Sequence, residues 1–109
     1  MFVLNDLTQC KQLDEKVSRK VLGCGGSLLM AEVSFKKDGI GQIHSHEEYE
    51  QVSYIVKGSF KVTVGEEAKV LKAGDSFYAD KNTPHGVIAL EDSIILDIFT
   101  PLRKDFIEV

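Results

Sequence analysis

Three histidines are the only imidazoles in this sequence of 109 residues, and their spacing suggests a metal site. His44 and His46 are separated by one serine, and the third is His85. If His44 and His46 lie on a β-strand, they share one face, because side chains two residues apart point to the same side. Gln51, five residues after His46, offers an amide oxygen. The four side chains together predict a site for a divalent cation.

The predicted ligands are three neutral imidazoles and one amide oxygen, without a thiolate. This set suits zinc, nickel, iron, manganese or copper, and the sequence does not select among them. Because Gln51 stands where a carboxylate is commoner, a bound divalent ion would keep its full charge as a Lewis acid. The set also lacks the carboxylate of many oxygen-activating iron sites. We therefore favour polarisation of a sugar-like substrate over dioxygen chemistry. The alternative is that the histidines are ordinary surface or core residues.

Glu50 is the other oxygen donor near the histidines. Strand parity places it on the face opposite Gln51 and therefore outward. Gln51 is the better candidate for the fourth ligand.

A single carboxylate, Asp97, lies in the most apolar segment of the chain, residues 94–99. Parity groups Asp97 with Ile95 and Phe99 on one face. A carboxylate that faces a barrel interior is costly unless paired or protonated, and desolvation raises its pKa. Asp97 is therefore a candidate general acid or base. The alternatives are an aspartate in solvent or in a structural hydrogen bond. Arg103 is either a two-point grip for a carboxylate or a solvated residue.

Length and composition predict one globular domain, residues 1–109, with 43% hydrophobic and 28% charged residues. The formal net charge is −4 and no basic stripe is present, so we expect neither nucleic acid nor a membrane surface as a partner. The apolar runs are too short to span a bilayer, and residues 1–6 lack the features of a secretory signal. Cys10 and Cys24 predict free thiols in a cytoplasmic protein.

Short runs of β-branched and aromatic residues recur along the chain, each followed by a glycine or a polar turn. This pattern predicts an all-β sandwich or barrel. The predicted strands are residues 27–35, 51–56, 60–64, 68–71, 76–79, 87–90 and 93–100. Only residues 6–20 favour a helix, weakly. Cys24 is expected to be a small inert residue in a turn.

The predicted strand 51–56 has two different faces. Gln51 and Ser53 lie on one face, whereas Val52, Tyr54 and Val56 lie on the other. The second face is apolar and must be covered by another sheet or another subunit. We therefore expect a homodimer.

The histidines also have a regular spacing relative to glycines. The sequence contains Gly39-x4-His44-x-His46-x4-Gln51-x6-Gly58, followed by Gly74-x10-His85. These motifs resemble the two signature motifs of the cupin superfamily, G-x5-HxH-x3-4-E-x6-G and G-x5-PxG-x2-H-x3-N. The resemblance implies a jelly-roll barrel, a double-stranded β-helix, that holds a metal inside.

The sequence departs from the general cupin motifs at several positions. Gly39 is one residue closer to the histidines, and Gln51 replaces the glutamate. Asp80 and Asn82 stand in place of proline and glycine, and Ala89 replaces the final asparagine. Only the exchange at Gln51 changes a ligand, and it keeps an oxygen donor.

Longer stretches resemble a narrower family, the KdgF-type pectin-degradation cupins, over nearly the whole chain. The distinctive stretches are VLGCGGSLLM at 21–30, HSH at 44–46 and ALEDSIILDIFTP at 89–101. The resemblance implies an enzyme of isomerase or tautomerase type. Its substrate would be a small sugar acid, a 4,5-unsaturated monouronate from pectin or alginate. Ring opening and tautomerisation would give the linear 4-deoxy-5-keto uronate.

The family resemblance also implies roles for individual residues. The implied metal ligands are His44, His46, Gln51 and His85, so the glutamine agrees with this narrower family. The implied catalytic aspartate, aromatic residue and arginine are Asp97, Phe99 and Arg103. Asp97 would move a proton, Arg103 would anchor the uronate carboxylate, and Phe99 would shape the sugar pocket. Two alternatives stay open: a non-catalytic, metal-containing sugar-binding or sensing cupin and, less favoured, a metal-dependent dioxygenase.

Overall fold

The structure is a computed structural model that describes residues 1–107. The strands of this part of the chain form two antiparallel β-sheets. A short 3-10 helix, Asn5–Leu7, precedes the first strand. The strands are β1 (Cys10–Gln12), β2 (Val17–Gly25), β3 (Leu28–Phe35), β4 (Ile40–His44), β5 (Glu50–Lys57), β6 (Ser59–Val64), β7 (Glu67–Lys72), β8 (Ser76–Ala79), β9 (His85–Ala89) and β10 (Ser93–Thr100). Helix α1 (Lys104–Ile107) follows them. The prediction of an all-β fold is confirmed.

The chain passes repeatedly from one sheet to the other. One sheet has the order β1-β2-β3-β10-β5-β8, and the other has the order β4-β9-β6-β7. Strand β10 therefore lies between β3 and β5, and β9 lies between β4 and β6. This order brings segments that are far apart in the sequence into direct contact, which is how a jelly-roll assembles a site from distant motifs.

The core lies between the sheets and receives side chains from both. Phe60 of the four-stranded sheet is fully buried and meets Phe35 of the other sheet edge to face, with ring centroids 5.2 Å apart. Ile55 and Ile95, on neighbouring strands of the six-stranded sheet, are 0% and 2% exposed. The predicted parity of β10 is confirmed, because Ile95 and Phe99 are buried on the inner face that also carries Asp97.

All seven predicted strands are present, each within two residues of its predicted ends. The predicted helix over residues 6–20 is wrong, because this stretch contains β1 and the start of β2. Strand β2 pairs with β3, and its Val17 is 4% exposed in the core, so tertiary pairing overrides a weak local helix preference. The expectation for Cys24 is also wrong in part. Cys24 lies within β2 and is partly buried, and the turn comes at Gly26.

Gly58 of the first motif occupies a position where a side chain cannot be accommodated. Its φ is +81°, and an added Cβ would overlap the Oγ atom of Ser93. That hydroxyl accepts a hydrogen bond from the backbone N–H of Ser59 at 3.0 Å. The motif glycine therefore permits the tight turn between β5 and β6.

Neither helix within residues 1–107 has the length and apolar character needed to cross a bilayer.

The outer face of β5 is apolar and uncovered by any other part of residues 1–107. Val52, Tyr54 and Val56 are 45%, 44% and 43% exposed, whereas Gln51, Ser53 and Ile55 are buried. The predicted parity of this strand is therefore confirmed. The homodimer inferred from it stays a prediction.

We expect the chain to dimerise through this face, because a flat apolar sheet surface is self-complementary about a two-fold axis. Tyr54→Lys should shift the mass measured by light scattering at micromolar concentration from two chains to one. Val70→Lys is the matched control, since Val70 is 65% exposed on β7 of the other sheet. A monomeric wild-type protein would contradict the expectation.

Candidate metal centre

The pairing of β4 with β9 brings two of the histidines together. His44 is the last residue of β4 and His85 the first of β9, and they are direct partners in the antiparallel register. His46 lies beyond the end of β4, so the assumption that a strand carries both His44 and His46 is wrong for His46. The two rings nevertheless meet, with 3.1 Å between their Nε2 atoms.

All three imidazoles converge on one point. Each offers a ring nitrogen, and these nitrogens lie within 4.8 Å of one another. The ring centroids of His44 and His46 are 4.6 Å from each other, and that of His85 lies 4.7 Å and 5.3 Å from them. Nitrogen atoms at these separations can bind one ion.

Backbone carbonyls orient two of the three rings. The Nδ1–H of His44 donates to the carbonyl of Gln42 at 2.6 Å, and that of His85 donates to the carbonyl of Thr83 at 2.9 Å. With the proton assigned to Nδ1 by these bonds, the lone pair of each ring is on Nε2. Both histidines thus use the same device, a carbonyl two residues earlier, to present a metal-binding nitrogen.

Two of the histidines, His46 and His85, are held in the neutral form that binds metals. Burial lowers the pKa of His46 to about 4, with smaller contributions from Arg103, His44 and His85. Burial also lowers the pKa of His85, more than the hydrogen bond to Thr83 raises it. No proton therefore has to leave either ring at neutral pH before a metal binds.

Gln51 supplies an oxygen to which no group of residues 1–107 donates a hydrogen bond. Its side chain is 6% exposed, and its Nε2–H donates to the Oγ atom of Ser53 at 3.0 Å. This bond orients the amide so that Oε1 is the free atom. Gln51 Oε1 and His85 Nε2 are both buried without a hydrogen-bond partner in the structure. An unsatisfied buried polar atom costs about 1–3 kcal/mol. Two such acceptors in one site fit a divalent cation.

Glu50 points away from this centre, as strand parity predicts. Its carboxylate accepts a hydrogen bond of 3.0 Å from the hydroxyl of Tyr78, which is half exposed on the outer face. This bond is the main reason that the pKa of Tyr78 is raised to about 12. Glu50 is therefore excluded as an inward oxygen ligand.

A hydrogen-bonded chain connects the metal-facing amide to Asp97. The Oγ–H of Ser53 donates to Asp97 Oδ1 at 2.6 Å, while the same oxygen accepts from Gln51. Ser53 is fully buried, and Asp97 keeps a partial exposure toward the cavity that it lines. Burial raises the pKa of Asp97, more than the Ser53 hydrogen bond and the charge of Arg103 lower it. Asp97 is thus a candidate for proton transfer.

Arg103 lies beside the histidines but is already paired. Its Nε–H and Nη2–H donate to the two carboxylate oxygens of Asp105 at 2.9 Å and 2.6 Å. This ion pair lowers the pKa of Asp105. The remaining nitrogen, Nη1, lies 3.5 Å from Nε2 of His46. Only Nη1 therefore faces the site without a carboxylate partner.

Three aromatic rings enclose the Arg103 guanidinium. Its Cζ atom is 4.0 Å from the ring centroid of Phe106, 4.7 Å from that of Tyr49 and 4.8 Å from that of Phe99. Together with Asp105, these rings leave Arg103 only 8% exposed. The solvated alternative for Arg103 is therefore wrong, and the residue is part of the cavity wall.

One cavity of about 310 Å³ collects most of the predicted site residues. This size is at the lower end of the range for ligand pockets, roughly 300–1,000 Å³. The residues that line it include His44, Gln51, His85, Asp97, Phe99 and Arg103. His46 borders the group, since its ring lies edge to face against those of His44 and Phe99.

Four residues of the site have no role in the sequence interpretation: Arg19, Ser53, Asp105 and Phe106. Ser53 could have been found, because it shares the inner face of β5 with Gln51. The inward orientation of Arg19 could not be predicted, because residues 6–20 were expected to form a helix. Its orientation follows from the pairing of β2 with β3. Asp105 and Phe106 lie in α1, beyond the last recognisable pattern.

Comparisons of the sequence and the structure with known proteins identify similar proteins. Residues 31–99 match the family described as the cupin domain. The sequence is 37% identical to the pectin degradation protein KdgF of Dickeya dadantii over 97% of both chains. The structure resembles KdgF from Halomonas sp., with a TM-score of 0.94, 34% identity and 97% coverage of each chain. It also resembles an RmlC-like cupin from Shewanella frigidimarina, with a TM-score of 0.92, 35% identity, and coverage of 96% of this chain and 94% of that one.

We expect purified protein supplied with zinc or nickel to bind about one ion per chain. His46→Ala should weaken binding by roughly 100-fold or more, because loss of a direct ligand exceeds the 10–100-fold cost of losing a supporting partner. Elemental analysis and calorimetric titration measure both. Ser45→Ala, which removes an exposed side chain between two ligands, is the control. Equal metal content in His46→Ala and wild type would remove His46 from the ligand set.

Asp97→Asn should stabilise the metal-free protein at pH 7. Because folding raises the pKa of Asp97, the folded chain at neutral pH must bury a charge or keep a proton that the unfolded chain releases. The neutral amide avoids this cost. The gain should vanish as pH falls below about 4, where the unfolded carboxyl is protonated too. Urea unfolding followed by circular dichroism measures it, with the exposed Asp6→Asn as control. A less stable Asp97→Asn variant at pH 7 would contradict the expectation.

Proposed function

The chain belongs to the KdgF family of the cupins, and on this basis we propose that it converts 4,5-unsaturated monouronates to the linear 4-deoxy-5-keto uronate. Membership of this family supports a role as an enzyme of pectin degradation. One observation supports the specific reaction: the hydrogen-bonded chain from Gln51 through Ser53 to Asp97. It places a group suited to proton transfer beside a set of cation ligands in one small cavity.

The proposed ligands of a divalent ion are His44, His46, Gln51 and His85. When bound, such an ion would supply Lewis acidity toward a substrate oxygen and would stabilise negative charge that develops there. The lowered pKa values of His46 and His85 favour their neutral forms, and Gln51 contributes a neutral amide. The four ligands also differ from the two-histidine, one-carboxylate set of many iron oxygenases. This composition favours chemistry without a redox change.

The reaction is an isomerisation that needs one proton to be moved. The ring of the substrate is a cyclic enol ether closed by a hemiacetal at C1. Ring opening takes the proton from the C1 hydroxyl, breaks the bond between C1 and the ring oxygen, and leaves an aldehyde at C1 and an enolate whose oxygen is the former ring oxygen. Tautomerisation then places a proton on C4 and leaves a ketone at C5. No oxidant, reductant or water is consumed.

Asp97 is the proposed carrier of this proton. Its carboxylate would accept the proton from the C1 hydroxyl and its carboxylic acid would deliver one to C4. A raised pKa suits this task, since it makes the carboxylate a better proton acceptor than an ordinary aspartate. Ser53 holds Oδ1 through its 2.6 Å bond, which leaves Oδ2 as the oxygen for transfer.

Phe99 and Arg103 are proposed to shape and anchor the substrate. Phe99 is 3% exposed and forms a rigid wall next to Asp97 on the same strand face. Arg103 would meet a substrate oxygen through Nη1, the one nitrogen that Asp105 does not occupy.

We also propose the cytoplasm as the working compartment. Cys10 and Cys24 are free thiols, which suit a reducing environment.

A turnover assay tests the proposed reaction. We expect metal-loaded protein to remove the ultraviolet absorbance of the ring alkene from unsaturated galacturonate, without consuming oxygen at an electrode. Asp97→Asn should reduce kcat by about 100-fold or more, the usual contribution of a positioned acid or base, while metal content stays constant. Binding without turnover would favour the sugar-sensing alternative, and coupled oxygen consumption would favour the dioxygenase. Equal activity of Asp97→Asn and wild type would remove Asp97 from its role.

A further inference from the structure

We infer that Arg19 binds the carboxylate of the sugar-acid substrate and makes the cavity selective for uronic acids over neutral sugars. This inference rests on the proposed function and adds a substrate-binding residue to it. Three observations support it: Arg19 lines the cavity, it forms no ion pair with a described residue, and its guanidinium packs against Phe106.

Arg19 points into the cavity from β2. Its direct partners in the sheet are Val33 on β3 and Lys11 on β1. Because side chains alternate along a strand, Arg19 shares the inner face with Val17, which is 4% exposed in the core. Arg19 therefore lines the same cavity wall as Asp97 and Gln51. An arginine among core residues needs a reason, since burial of a guanidinium is costly unless it is paired.

No carboxylate of residues 1–107 pairs with Arg19. Its Nε atom is buried without a hydrogen-bond partner, and no described side chain forms an ion pair with it. Burial, and then the neighbouring charge of Arg103, lowers the pKa of Arg19. Arginine nevertheless stays protonated at neutral pH. The cavity thus contains a positive charge whose hydrogen-bonding capacity is left for something that enters.

The two arginines of the cavity, Arg19 and Arg103, differ in whether a carboxylate pairs with them. Arg103 gives two of its three nitrogens to Asp105, so that its charge is neutralised inside the protein. Asp97 forms no ion pair with Arg19, and its Oδ1 accepts from Ser53 instead, although the charges of Asp105 and Asp97 partly offset the lowering of the Arg19 pKa. Among residues 1–107, Arg19 is therefore the arginine of the pair that lacks an ion-pair partner, and an anion is the matching ligand.

Phe106 holds the Arg19 guanidinium in position. The Cζ atom of Arg19 is 3.8 Å from the centroid of that ring, and the Cζ atom of Arg103 is 4.0 Å from the same centroid. One aromatic ring of α1 thus fixes both cations. A guanidinium that is already oriented loses less entropy when it binds, which favours recognition of a small ligand.

The cavity fits a carboxylate better than a larger anion. A planar guanidinium matches a planar carboxylate through two parallel hydrogen bonds. The cavity volume of about 310 Å³ suits a monosaccharide acid, in which a single carboxylate is the only charge. A neutral sugar would leave Arg19 unpaired in the complex, which is the basis for strong discrimination.

Calorimetric titration of the metal-loaded protein with galacturonate and with galactose tests the inference without any turnover. We expect wild type to prefer galacturonate by at least about tenfold. Arg19→Gln should lose about 10- to 100-fold in affinity for galacturonate and leave galactose binding unchanged, as expected for removal of a charge-assisted pair. Arg19→Lys should keep part of the preference, since it retains the charge but not the two-point geometry.

Lys20→Gln is the matched control, because it removes the same charge from the adjacent residue on the outer face, where the Lys20 ammonium donates hydrogen bonds to Asn5. Melting temperature and metal content establish that each variant is folded and loaded. Equal galacturonate affinity in Arg19→Gln and wild type overturns the inference, as does a wild-type protein with no preference for the acid.

Turnover of unsaturated galacturonate separates this inference from the proposed function. Arg19→Gln should raise KM by about the same factor as it weakens galacturonate binding, with a smaller effect on kcat. If wild type turns over the substrate and Arg19→Gln matches it in KM, the inference fails and the proposed function stands. If wild type prefers galacturonate through Arg19 but never turns over the unsaturated acid, the carboxylate site stands and the proposed function fails.

Discussion

The antiparallel pairing of β5 with β10 is the constraint on which the site depends. In this register Gln51 lies opposite Phe99, Ser53 opposite Asp97, and Ile55 opposite Ile95. The last pair is almost completely buried, so a shift of one strand by one residue would turn its isoleucine out of the core. The isoleucine pair thereby fixes the positions of Gln51, Ser53 and Asp97. The bond from Ser53 to Asp97 follows from core packing rather than from any attraction between the polar groups themselves.

The site contains groups that do not favour folding. Asp97 is a carboxyl with a raised pKa, and Gln51 Oε1 and His85 Nε2 are buried acceptors without partners. Each costs stability in the metal-free protein. Such costs are sustained because the core below is closely packed around Phe60 and Phe35, and they are typical of sites whose polar groups await a ligand.

The sequence was most informative where function depends on local spacing. The alternation along residues 51–56 and 94–99 was enough to place Gln51 and Asp97 inward, because one buried face specifies every second residue. It was least informative for residues whose orientation depends on a distant partner. Arg19 points inward only because β2 pairs with β3, and residues 6–20 lack the alternation that would have indicated this. Nη1 of Arg103 faces the site because Asp105 accepts hydrogen bonds from the other two nitrogens, Nε and Nη2. The periodicity of the sequence does not predict this contact.

The charge of the chain as a whole opposes the charge of its cavity. The net charge is −4, and three glutamates, Glu47, Glu48 and Glu50, lie close to the histidines in sequence. An anionic sugar acid is therefore not attracted from a distance, and at physiological ionic strength fields between exposed charges decay within about 8 Å in any case. Attraction must arise at short range. Because Arg103 is paired with Asp105, the two sources that we propose among the described residues are Arg19 and a divalent ion at the proposed ligand set. In the proposed function, the amide at position 51 would therefore favour substrate binding as well as catalysis, since a carboxylate there would cancel part of the positive field of the ion.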